Sequence, residues 1–196
     1  MYETVTSIDQ LLDRLQDYQP DADLGMVRKA YEFSARAHEG QMRRSGEPYV
    51  KHPVAVAGVL TSLKTDVTAV VAGLLHDTLE DTDTTPEELE AMFGIRIRKL
   101  VQEVTDDKRL PKARRKELQI EHASQLSPDA VLIKLGDKIS NVLDVTHSPP
   151  AEWNLQRRRE YLDWAEVVVN NCSRVNSALE AYFAKVLEEG RRKLLS

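Results

Sequence analysis

The sequence predicts an all-α fold, one domain over residues 1–196 built as a bundle of about eight to ten helices. Three observations predict it. Eight Gly and eight Pro are few for 196 residues, and Leu, Ala, Glu, Lys and Arg are abundant. Apolar residues recur three and four positions apart between capping signals. No segment alternates with a period of two.

Ser7-Ile8-Asp9-Gln10 reads as a capping box ahead of Leu11, Leu12 and Leu15. A second helix runs from about Asp23 to His38, with Val27, Tyr31 and Ala35 facing inward. Residues 40–52 read as a polar loop ending at His52, with Pro53 opening a helix through Leu63. Asp66 caps a helix whose stripe is Val67, Val70, Val71, Leu74 and Leu75, and Thr85-Pro86-Glu87-Glu88 is a second capping box. Helices follow over about Ile95–Val104, Lys112–Ala123, from Ser127-Pro128 onward, from Pro149-Pro150 to about Asn170, and to an end near Gly190.

The formal net charge of −5 argues against a general nucleic-acid binder, and one cysteine, Cys172, excludes an internal disulfide. Cys172 reads as a small buried apolar residue. The longest apolar stretches fall short of a membrane span. Met1-Tyr2-Glu3-Thr4 shows no basic region followed by an apolar run, so a cytoplasmic protein is expected.

The chemistry concentrates in Gly73-Leu74-Leu75-His76-Asp77-Thr78-Leu79-Glu80-Asp81-Thr82. An adjacent imidazole and carboxylate at the end of an apolar helix suit one divalent metal of intermediate hardness. His52-Pro53 lies upstream and Asp137 downstream. Asp137, Asn141 and Asp144 share one face of their helix, opposite a core face of Val131, Leu132, Leu135, Ile139 and Val142. A buried Asp137 needs a partner, either a metal or an ion pair with Lys134 or Lys138. Ala69, Ala72 and His76 form a small-residue stripe that either admits a neighbouring helix or is helix filler.

Four protein ligands leave positions open for water and substrate, as in a catalytic site. A metal there activates water and neutralises phosphoryl oxygens. Glu80 and Asp81, one turn after His76 and Asp77, are placed to accept a proton from that water or to hold it in line. Arg43, Arg44 and Lys51 flank the His52 loop, and Arg157, Tyr161 and Trp164 share a helix face, which suits phosphates and a stacked base. Arg158, Arg159 and the run Lys108, Arg109, Lys112, Arg114, Arg115, Lys116 read as solvated surface. His38 reads as a hydrogen-bonded supporting residue rather than a ligand. His122 and His147 receive no role.

Together these residues resemble a known family. Ala37 to Pro53 resembles the opening motif of the RelA/SpoT hydrolase domain, and Gly73 to Thr82 its central His-Asp motif. Val104-Thr105-Asp106-Asp107-Lys108, Leu110-Pro111-Lys112 and Lys134 to Asn141 resemble the small single-domain members, including the animal SpoT homologues, over roughly residues 25–185. The resemblance implies an HD-domain, manganese-dependent 3′-pyrophosphohydrolase of guanosine 3′-pyrophosphate alarmones, releasing pyrophosphate and GDP or GTP. It implies one metal held by His52, His76, Asp77 and Asp137, with Glu80 and Asp81 at the water. It implies a nucleotide held by Arg43, Arg44, Ser45, Asn141, Arg157 and Tyr161, with Arg44 stacked on the base. Leu143 stands where the family commonly carries a basic residue, and Asp144 where its long members carry Thr, so an adenosine alarmone is a second candidate. The rival readings are an HD phosphohydrolase of NADPH, a dNTP or a cyclic nucleotide, and a non-catalytic nucleotide sensor.

Overall fold

A computed structural model describes residues 5–195; Met1–Thr4, on which the expectation about a leader falls, and Ser196 lie outside the described residues. The described residues form ten α-helices: α1 (Ile8–Tyr18), α2 (Leu24–Ala37), α3 (Lys51–Ser62), α4 (Val67–Leu75), α5 (Thr78–Asp81), α6 (Pro86–Val104), α7 (Lys112–His122), α8 (Pro128–His147), α9 (Leu155–Asn171) and α10 (Ser177–Lys193). Strands are absent among the described residues; one isolated bridge, Met42 to Pro48, closes the loop after α2. The all-α expectation holds.

Capping chemistry sets the ends. Asp66 accepts the Thr68 N–H at 2.8 Å and starts α4. Thr85 and Glu88 exchange backbone bonds as a complete capping box. At α1 the box is displaced by one residue. Ser7 Oγ accepts from Gln10 N, but the Gln10 side-chain Oε1 accepts the Thr6 N–H rather than that of Ser7.

Other boundaries differ from the sequence expectation for local reasons. Helix α3 starts at Lys51, so His52 already sits in its first turn and Pro53 stays where no N–H is needed. The break expected before Ile95 is a kink inside α6 at Gly94, whose φ of 83° suits glycine. Pro149-Pro150 opens a turn rather than α9. The helix begins five residues after Pro150, where the Asn154 side chain accepts the Arg157 N–H at 2.9 Å. The inward face of α2 is Val27, Ala30 and Ser34, with Tyr31 and Ala35 only partly buried. Gly190 does not end α10. Its missing side chain lets α10 approach α8 and α9, since a Cβ there would lie 2.7 Å from Thr146 Oγ1 and 3.0 Å from Leu162 Cδ2.

Helices α3, α4 and α8 pack on one another at the centre, and one apolar core joins the surrounding helices, with Leu79 of α5 packed against it and α7 left out. Leu60 of α3 is wedged between two glycines. A Cβ on Gly73 of α4 would lie 2.9 Å from Leu60 Cδ1, and one on Gly136 of α8 would lie 3.4 Å from Leu60 Cδ2. These close approaches bring His52 at the start of α3, His76 at the end of α4 and Asp137 in the middle of α8 together. Ala69 and Ala72 are buried, as the small-residue stripe requires. Cys172 is a buried free thiol.

Two γ-carbons at position 73 would therefore push α3 from α4. Gly73→Val is expected to cost about 1–3 kcal/mol of stability through overpacking. Adding Leu60→Ala should recover part of that loss. Thermal unfolding of the single and double variants checks this; an unchanged midpoint for Gly73→Val would show that α3 and α4 are not tightly apposed.

Candidate active site

Helices α3 and α8 and the turn from α4 to α5 deliver two imidazoles and two carboxylates to one point. His52 Nε2 lies 3.2 Å from Asp137 Oδ1 and 3.6 Å from Asp77 Oδ2. His76 Nε2 lies 3.2 Å from Asp77 Oδ1 and 3.8 Å from Asp137 Oδ1. His52 and His76 are 3% and 5% exposed, so these groups face one another rather than water.

The far side of each ring is held. His76 Nδ1 donates to the Gly73 carbonyl at 2.8 Å, which turns Nε2 toward the site. His52 Nδ1 lies 3.3 Å from Ser140 Oγ. His76 Nε2 is buried with no hydrogen-bond partner of its own. An orphaned imidazole nitrogen aimed at two carboxylates fits a divalent cation, and His52, His76 and Asp137 offer ligand atoms within 4.8 Å of one another.

Of the partners read for Asp137, the ion pair with Lys138 is present, and the carboxylate also faces the histidines. Its Oδ1 faces the histidines and accepts from Asn141 Nδ2 at 2.5 Å, while Oδ2 accepts from Lys138 Nζ at 3.0 Å. Burial opposes charge on Lys138, but the Asp137 carboxylate outweighs it and raises the lysine pKa. Burial likewise opposes charge on His76, yet Asp77 and Asp137 lift its pKa to about 10. Asp77 and Asp137 are held well below the usual carboxylate range: burial acts against this, but His76 on Asp77 and Lys138 on Asp137 overcome it.

Glu80 and Asp81 sit beside the cluster on the short helix α5. Glu80 accepts the Asp106 N–H at 3.0 Å and lies 3.3 Å from Arg115 Nη1. Burial raises the Glu80 pKa, against the pull of the Asp106 N–H. Asp81 is paired with Lys108 and accepts from the Tyr49 hydroxyl at 2.8 Å; the same hydroxyl lies 2.6 Å from Asp77 Oδ2. Burial and the nearby Asp77 raise the Tyr49 pKa, so the phenol keeps its proton between the two carboxylates. His38 is buried and stacks on Tyr49 with centroids 4.5 Å apart, in the supporting role expected of it.

The cluster lies in a cavity of about 540 Å³ whose other wall is cationic: Arg43, Lys112, Arg115, Lys116 and Arg157 line it with Asn141, Trp153, Tyr161 and Trp164. The reading of the 108–116 run as solvated surface is therefore half wrong. Lys112, Arg115 and Lys116 share one face of α7 at spacings of three and four and turn inward, whereas Arg109 and Arg114 stay outside and pair with Asp107, Glu117 and Glu121. Burial and neighbouring cations lower the pKa values of Lys112 and Lys116. Arg158 is not a solvated face either; it donates to the Val145 and Thr146 carbonyls at 2.9 and 3.1 Å. Arg159 reaches the Leu194 carbonyl.

Of the nucleotide-binding residues read from the sequence, Arg43, Asn141, Arg157 and Tyr161 line the cavity. Arg43 donates to Asn141 at 3.1 Å and pairs with Asp144 at 2.8 Å. Arg157 lies over the Trp153 ring, 4.5 Å from its centroid. Arg44 and Ser45 lie outside it, on an adjoining groove of about 310 Å³ that shares Arg43, Tyr49, Asn141, Trp153 and Tyr161 with the cavity. There Arg44 is exposed and paired with Glu152 at 2.6 Å. Leu143 packs against the core and does not line the cavity. Sequence reasoning missed Tyr49, Asp106 and Trp153 as lining residues. The spacing of Tyr49, three residues before His52, was the available signal for the first.

His76 with a pKa near 10 carries a proton at neutral pH, and a metal ligand must be neutral. Binding of a divalent ion should therefore release at least one proton, with affinity rising up to roughly tenfold per unit between about pH 6 and 8. Calorimetric titration in two buffers of different ionisation enthalpy measures this; uptake independent of pH and buffer would contradict it.

The comparisons with known proteins agree with this geometry. The family model described as HD domain matches residues 30–164. The human guanosine-3′,5′-bis(diphosphate) 3′-pyrophosphohydrolase MESH1 is 45% identical over 163 residues, covering 81% of this chain and 91% of the human one. A GTP pyrophosphokinase of Myxococcus xanthus is 41% identical over 142 residues, which are 68% of this chain but 19% of that enzyme. The solved structure of a metazoan ortholog of SpoT that hydrolyses ppGpp superposes with a TM-score of 0.80 at 39% identity, over 86% of this chain and 96% of the other. The chain belongs to the HD-domain family, among the MESH1-type homologues of SpoT.

Proposed function

We propose that this protein is a manganese-dependent 3′-pyrophosphohydrolase of guanosine 3′,5′-bis(diphosphate) and its pentaphosphate analogue, acting in the cytoplasm. The observation that carries the reading is the two-ended cavity. A His/Asp cluster with Glu80 and Asp81 forms one end, and Lys112, Lys116 and Arg157 form a cationic wall facing it. A nucleotide with phosphates on both 3′ and 5′ carbons suits that layout. The identity to human MESH1, and the ppGpp hydrolysis of the metazoan SpoT ortholog, support the same substrate.

His52, His76, Asp77 and Asp137 would hold the metal, one per chain. The two carboxylates suit manganese, and the two imidazoles are donors that divalent first-row ions share. When bound, the ion supplies activation of water and neutralisation of phosphoryl charge. The residues of the chain do the rest. Glu80, with its raised pKa and fixed by the Asp106 N–H, accepts a proton from the attacking water. Water oxygen bonds to the phosphorus attached to O3′, the P–O3′ bond breaks, and O3′ takes up a proton. Pyrophosphate leaves, and GDP or GTP with a free 3′-hydroxyl remains. Tyr49 keeps Asp77 and Asp81 in register through its shared hydroxyl. Arg43, steered by Asn141 and Asp144, meets the phosphates near the ribose. Trp153, Tyr161, Arg44 and Ser45 border the groove where the base lies, with Arg44 leaving Glu152 to stack on it. Stacking surfaces of this kind accept either purine, so the adenosine alarmone is the second substrate to test.

A substrate panel of guanosine and adenosine 3′-pyrophosphates, NADPH and dNTPs with manganese tests the proposal. The alarmones should be turned over with release of pyrophosphate, and turnover of NADPH or dNTPs in preference to them would replace this function with another. In the same assay Glu80→Gln/Asp81→Asn should lower kcat roughly 100-fold or more while manganese and nucleotide still bind. Loss of manganese from that variant, as expected instead for Asp137→Ala, would reverse the assigned roles.

A further inference from the structure

Helix α7 supplies much of the cationic wall but has no residue buried in the body of the protein. Trp164 of α9 holds it. The indole N–H donates to the Lys116 carbonyl at 3.1 Å, and the Lys116 ammonium lies 4.6 Å from the centroid of the same ring. The ring has a second cationic neighbour, Lys138 of α8, with its Nζ 4.5 Å from the centroid. Lys138 is 3% exposed and donates to Asp137 Oδ2 at 3.0 Å. A buried ammonium is costly without compensation, and here the Asp137 carboxylate and the indole face supply it. One side chain therefore touches both a lysine of the cationic wall and the lysine that fixes a carboxylate of the metal cluster.

We propose that Trp164 is a positioning residue that sets two parts of the site at once. Through its N–H and ring it seats α7, and so Lys112, Arg115 and Lys116, against the cavity. Through its ring it presses Lys138 onto Asp137 Oδ2, which leaves Oδ1 turned to His52 and His76. The substrate half of the idea rests on the alarmone-hydrolase reading; the metal half and the seating of α7 do not. Arg115 to Glu80 and Gln119 to Asp106, at 3.3 and 2.8 Å, tie the same helix to the catalytic side. Loss of the Trp164 contact should thus loosen α7 without releasing it.

Two variants separate the two functions. Trp164→Phe keeps an aromatic face for Lys138 and removes the N–H. It should speed hydrogen exchange across residues 112–122 and raise KM about 3- to 10-fold, with kcat and manganese affinity within about 2-fold. Trp164→Leu removes both and should in addition weaken manganese binding, read by EPR titration without substrate, roughly 10-fold. In a Lys138→Met background, Trp164→Leu should cause no further loss of manganese affinity. Unchanged exchange over 112–122 in Trp164→Phe overturns the seating role. Equal manganese affinity in Trp164→Leu and wild type, or full additivity with Lys138→Met, overturns the metal role. A change in melting temperature alone, with exchange, KM and manganese affinity unmoved, reduces Trp164 to a packing residue. If Trp164→Leu fails to fold, Trp164→Phe still decides the seating role, and Trp164→Met, which keeps bulk without an aromatic face, takes its place in the manganese titrations. If wild-type protein hydrolyses no alarmone, the function proposed above fails, while exchange and EPR still test Trp164.

Discussion

Two imidazoles and two carboxylates meet at the junction of α3, α4 and α8, and the arrangement of the molecule follows from that meeting. Groups of this kind are costly to withdraw from water unless a charge of opposite sign completes them. The chain therefore fixes each one from behind: Gly73 carbonyl behind His76, Ser140 behind His52, Lys138 and Asn141 on Asp137, Tyr49 on Asp77. The fold supplies the closeness. Leu60 between Gly73 and Gly136 lets three helix backbones approach where larger residues would hold them apart.

Around this centre charges of both signs line one cavity: Glu80, Asp81 and Asp106 with Arg43, Lys112, Arg115, Lys116 and Arg157. Some are already paired, Arg115 with Glu80 and Lys108 with Asp81. A polyanionic substrate entering between them would exchange these pairs for phosphate contacts. Electrostatic preorganisation of this sort acts where charge accumulates in phosphoryl transfer, with the donors held by the fold before the substrate arrives.

The sequence made the centre legible because its signals are local. An apolar run followed by His76-Asp77 places both groups at a helix end, and offsets of four and seven put Asp137, Asn141 and Asp144 on one face. The surroundings were less legible because they depend on tertiary contact. Lys112, Arg115 and Lys116 carry a helical spacing that any amphipathic surface helix shares. Only the packing of α7 on α9 shows that this face looks inward. Arg158 resembles a solvated residue until α8 ends beside it with two free carbonyls. Pro149-Pro150 resembles a helix start, but the side chain able to cap the first turn belongs to Asn154. Gly190 resembles a helix stop, but it marks a close crossing of helices.

Anomalous diffraction from crystals loaded with manganese tests the central claim most directly. A single anomalous peak within coordination distance of His52, His76, Asp77 and Asp137, with Glu80 and Asp81 beside it but not bound to it, is the predicted result. An ion held elsewhere, with those four side chains at full occupancy and pointing apart, would contradict it.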